Sequence, residues 1–96
     1  MKRYEDDLLE RLKNPAYAAA YLDAVLEEED PSAFLIALRD VARAKGMSQV
    51  AQETELGRES LYKALSETGN PGIRTIDKVL HAMGMRLSVT PSQGVS

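Results

Sequence analysis

Two Asx-Pro pairs and a set of isolated glycines cut this chain into short helices, and that punctuation limits its fold more than any other feature. Asn14-Pro15 and Asp30-Pro31 each place a side-chain acceptor before a proline. This is the pattern of a helix N-cap followed by a residue whose missing N–H costs nothing at the first helical position. After Asn14, the residues Ala18, Tyr21, Leu22, Val25 and Leu26 recur at helical spacing and predict one apolar face. After Asp30, the predicted buried stripe is Phe34, Leu38, Val41 and Ala42, closed by the cationic turn Arg43–Lys45 and Gly46. Ser48 can cap a third short helix, and Gly57 stands at the start of a fourth, Arg58 to Ser66. The run Gly69-Asn70-Pro71-Gly72 breaks the chain again, and Ile73, Ile76, Leu80 and Met83 predict a last helix ending at Gly84. Beyond it, Met85, Leu87 and Val89 alternate with Arg86, Ser88 and Thr90 until Pro91, which predicts a short terminal strand. Tyr4 to Leu12 reads as a short helix or a flexible arm.

The segment from Met47 to Ser66 has the spacing of a helix-turn-helix. Such a motif crosses two short helices at a steep angle, one resting on phosphates and one entering the major groove. Val50 and Leu61 supply the apolar residues that hold the two together, Leu56 fits the turn, and Ala51 is small where helices approach closely. Ala64 or Leu65 anchors the second helix, and Thr54 suits a half-buried position. The turn departs from the usual pattern, with Glu55 where glycine is common and Gly57 two residues later. Either the turn differs in shape or Glu55 adopts a left-handed conformation under strain.

The block Met47-Ser48-Gln49 through Ser66, followed by Gly69-Asn70-Pro71 and the closing Met83-Gly84-Met85-Arg86-Leu87, resembles the λ-repressor/Cro-like helix-turn-helix family. More closely, it resembles addiction-module antidote proteins of the HigA type. The likeness extends upstream through Asp30-Pro31 to the Tyr17–Leu22 helix. The resemblance implies an antitoxin that blocks a small basic toxin of the RelE/ParE type. It also implies a homodimer that binds double-stranded operator DNA and represses its own operon.

The expected fold is therefore all-α: a five-helix-type λ-repressor-like helix-turn-helix bundle with an N-terminal helical extension and one short C-terminal β-strand. Residues 1–29 form the acidic extension, 30–91 the helix-turn-helix domain with its strand, and 92–96 a flexible tail.

The candidate DNA-contacting residues are Ser48, Gln49, Arg58, Glu59, Ser60, Tyr62 and Lys63. Arg58 offers a planar fork that suits guanine or phosphate, and Lys63 a point charge for phosphate. Ser48 either caps its helix or also offers a hydroxyl to phosphate. Glu59 either accepts from a cytosine amino group or simply complements the helix dipole. Ser60 and Tyr62 can reach bases or phosphate, and Tyr62 can instead pack on the protein surface.

Charge tempers this reading. The net charge is −3, unequally divided: residues 1–31 hold nine acids and four bases, whereas 32–96 hold six acids and eight bases. The acidic front serves solubility or docks a basic toxin, with Tyr4, Leu8, Leu9 and Leu12 as apolar anchors. The terminal strand, through Met85, Leu87 and Val89, caps the core or pairs with a second subunit, since an unpaired edge is a liability.

Other chemistries lack their residues. Cysteine is absent and His81 is the single histidine, so neither thiolate chemistry nor a metal site is expected, and no cofactor or catalytic residue is expected. No apolar segment approaches the roughly 20 residues that span a bilayer, and the start lacks a signal-peptide core; a soluble cytoplasmic protein is expected. Two other readings remain open: a free-standing phage-type repressor, and a protein-interaction module that does not bind DNA.

Overall fold

The computed structural model describes residues 4–92. Six helices follow one another: α1 (Tyr4–Leu12), α2 (Pro15–Leu26), α3 (Pro31–Lys45), α4 (Met47–Thr54), α5 (Arg58–Ala64) and α6 (Ile73–Ala82). Both Asx-Pro starts form as their chemistry dictates. Asn14 Oδ1 accepts from the N–H groups of Ala16 and Tyr17 at 2.9 and 3.3 Å, and Asp30 Oδ1 from those of Ser32 and Ala33 at 3.0 and 3.3 Å. Each cap satisfies donors that a helix start otherwise leaves unpaired.

α3 is the central element, packing against α1, α2 and α4, while α4 also packs against α6. One core runs through the described residues from α1 to the end of α6. Leu12, Ala18 and Leu22 from the first two helices join Leu35, Leu38 and Val41 of α3, and Val50, Leu61, Leu65 and Val79 beyond it. The Arg43 guanidinium reinforces the join, reaching Glu5 of α1 at 2.9 Å and Asp40 at 3.6 Å. The chain passes from α2 to α3 through a turn at Glu27–Glu29.

Three expectations require correction. Among the described residues there is no strand: Met85 to Ser92 form no ladder, and Val89 is 95% exposed. Alternation gives a segment two faces, but a strand needs a second strand to receive its hydrogen bonds, and the helical chain offers none. Met85 instead completes the end of α6. Its N–H donates to Leu80 O at 2.8 Å and that of Gly84 to His81 O at 3.0 Å, with Gly84 at φ 78°. This is the Schellman arrangement, in which the glycine supplies the left-handed residue.

The apolar stripes hold except at two helix ends. Leu26 and Ile73, expected inside, are 52% and 72% exposed, while Leu35, Ala37 and Val79 are buried. Finally, Ser48 does not cap α4. Gly46 ends α3 and starts α4 at once, with no side-chain cap bond, so Ser48 lies inside the first turn. Of residues 92–96, expected to be a flexible tail, Ser92 is the last described residue and 93–96 lie outside the described residues.

Candidate nucleic-acid interface

α4 and α5 are joined by Glu55–Gly57, and the turn works through two residues. Thr54 is buried, and its hydroxyl donates to Val50 O at 2.8 Å, lies 3.2 Å from Ala51 O and accepts from the Leu56 N–H at 3.4 Å. Glu55 then turns the chain in the left-handed region (φ 62°, ψ 16°), its N–H donating to Gln52 O at 3.2 Å. For a residue with a Cβ this conformation costs roughly 1–2 kcal/mol. Leu56 packs against the core. Gly57, in extended conformation, starts α5, and its carbonyl accepts from the Leu61 N–H at 2.9 Å.

The inner faces of both helices are apolar. Val50, Ala51, Leu61 and Leu65 are buried, and what remains points outward: Ser48, Gln49, Arg58, Glu59, Ser60, Tyr62 and Lys63 are all exposed. The Gln49 amide donates to Glu53 Oε1 at 3.2 Å. The Arg58 guanidinium lies 5.9 Å from the centre of the Tyr62 ring, one turn later, at the edge of cation–π range. Glu59 sits in the first turn of α5, where the helix dipole favours an acid. Two tethers fix the far end of α5. The Ser66 hydroxyl donates to Lys63 O at 2.9 Å, and that of Ser32 reaches from α3 to Glu67 O at 3.1 Å.

Not every base of the second half reaches this surface. Lys45 spends its ammonium on Glu53 of α4, at 3.4 Å, and on the carbonyl of Ala82, the last residue of α6. Arg43 is held by Glu5 and Asp40. The exposed cations on the two motif helices are Arg58 and Lys63, so the usable positive charge is smaller than the sequence count implied.

The N-terminal candidates separate. Leu12 is 3% exposed and Leu8 packs against the same core. Leu9 is half-buried, and only Tyr4 stands out, 83% exposed. His81 lies 3.3 Å from Asp77 on α6, and no group of three or more His, Cys, Asp or Glu side chains is placed to hold a metal ion among the described residues. No helix there is long and apolar enough to cross a membrane. Sequence reasoning missed the outward-facing Leu26 and Ile73, since spacing alone reads both as core.

The family model described as "Probable addiction module antidote protein" matches residues 2–91. The chain belongs to this family. A relative in Haemophilus influenzae, an uncharacterized protein, is 41% identical to this antidote-family chain over 87 residues, covering 91% of the chain and 90% of the relative. No solved structure matches it. Membership of an antidote family implies a toxin partner of some kind.

Proposed function

We propose that this antidote-family chain is a DNA-binding antitoxin that neutralises a small basic toxin of the RelE/ParE type and represses its own operon as a homodimer. The observation that carries the DNA half is the sidedness of α4 and α5. Their apolar residues are spent on the core, while a contiguous set of hydrogen-bonding and cationic side chains faces outward. That is what a λ-repressor-like helix-turn-helix of the HigA type needs for the second helix to enter a major groove. Arg58 pairs with a base edge or phosphate, Lys63 with phosphate, and Gln49, Ser48, Ser60 and Tyr62 supply neutral contacts, while Glu59 stabilises the start of α5. With so few exposed cations, a single copy neutralises few phosphates, and two copies on a two-fold operator double the number. No catalytic role is proposed.

A gel shift on the upstream region of the gene, titrated with salt, tests this. Arg58→Ala is expected to weaken binding by about 1–3 kcal/mol, and Lys63→Ala to flatten the salt dependence. Binding indistinguishable from wild type in both variants would remove α5 from the interface. No binding at low salt to an inverted repeat would favour a protein-interaction module.

A further inference from the structure

An apolar groove of about 340 Å³ lies between the α2–α3 turn and the start of α6, floored by Leu26, Phe34, Pro71 and Ile76. It continues past Leu26 into a second groove ending at Thr90–Ser92. Ile73, one turn before Ile76 on α6, is 72% exposed. The rim is acidic. Glu29 borders both grooves and Glu27 the second, at the C-terminal end of α2, where the helix dipole adds further negative potential. Neither has an ion pair among the described residues. An exposed apolar patch with a polar rim is the mark of a docking surface.

Charge decides the occupant. A second copy related by a two-fold axis would bring two acidic rims together, and like charges across an interface oppose association. A segment with apolar side chains for the floor and lysines or arginines for the rim meets both demands. We infer that this trough is the docking site for a basic amphipathic segment of the toxin. The inference rests on the antitoxin reading above.

The test is to co-express the full chain with the product of the open reading frame beside its gene, then measure the affinity of the purified complex. Glu27→Lys/Glu29→Lys and Leu26→Lys alter exposed positions, and thermal unfolding and the operator gel shift verify that each variant is folded. The expected result is binding weakened at least about tenfold by either change, with the salt dependence flattened in the charge reversal and operator binding not weakened. Wild-type affinity in both variants would overturn the trough while leaving the antitoxin reading intact. Failure of the wild-type chain to bind that product would overturn both. Loss of a homodimer in Leu26→Lys alone would make a second copy the occupant. A complex that tightens when residues 93–96 are removed would make the chain's own end the occupant, and either result overturns the inference.

Discussion

Replacing Gly69 by alanine isolates how closely the loop after α5 must approach that helix. A Cβ at Gly69 would lie 2.2 Å from Ala64 O, 2.8 Å from Ala64 C and 2.9 Å from Lys63 O. All three are backbone atoms, so no rotamer change relieves the overlap. Either the loop shifts outward or the last turn of α5 deforms, and with it the seat of fully buried Leu65. Overpacking against a fixed neighbour costs about 1–3 kcal/mol. For a domain of this size each kcal/mol lowers the melting temperature by roughly 4–8 °C, so a drop of about 5–20 °C is expected in thermal unfolding followed by circular dichroism. Gly72, three residues on, is the control. It has nothing within 4 Å and starts α6 in extended conformation (φ −73°, ψ 168°) with no side-chain cap bond. Gly72→Ser is therefore expected to stabilise by about 0.5–1 kcal/mol, by supplying a cap and restricting the unfolded chain. A Gly69→Ala protein within about 0.5 kcal/mol of wild type, the range of an ordinary surface change, would refute the close-approach argument.

Thr54→Val keeps the shape of a buried side chain but strands the Leu56 N–H and removes the hydroxyl's donation to Val50 O; a loss of about 1–2 kcal/mol in denaturant unfolding is expected, and no loss would show that the hydroxyl does not hold the turn. Glu55→Gly relieves the left-handed backbone and, after the greater freedom of glycine in the unfolded chain is subtracted, is expected to gain roughly 0.5 kcal/mol. Glu55→Ala should gain nothing; equal gains in the two variants would assign the effect to charge instead. Burial raises the Asp40 carboxyl above its usual range, opposed by Arg43 and Arg39 and by a hydrogen bond from Tyr21, with Glu5 adding to the rise. The folded state therefore holds this proton to higher pH than the unfolded state, and Asp40's contribution to stability falls as pH rises from its ordinary value through the raised one. Asp40→Asn should remove that part of the pH dependence in unfolding measured across the acidic range, and an unchanged profile would contradict it.

The helix starts were legible because capping is local chemistry: Asn14 and Asp30 need only the next three residues to do their work. At Glu55 the sequence left two alternatives, a turn of different shape or a left-handed residue, and the structure takes the second, with φ 62°. Ser48 was misread because Gly46 serves two helices at once, which moves the start of α4 back. Leu26 and Ile73 follow helical spacing faithfully, yet each stands at the end of its helix where no neighbouring helix covers it. The alternation after Gly84 failed for a related reason, since pairing is a property of two segments and no second one lies among the described residues. The outward-facing set on α4 and α5 was legible from spacing, but its charge was not. Asp40, one turn before Arg43, is a partner that helical spacing allows, but Glu5 on α1 and the Ala82 carbonyl at the end of α6 are brought to Arg43 and Lys45 only by the fold.

The turn at Gly84 has a practical consequence. By reversing the chain at the end of α6, it brings Thr90, Pro91 and Ser92 to the same trough as Leu26. An affinity tag or fluorescent protein fused directly after Ser92 would emerge at the mouth of that trough and obstruct whatever enters it. Handles for pull-down or imaging therefore belong ahead of α1, where Tyr4 already faces solvent.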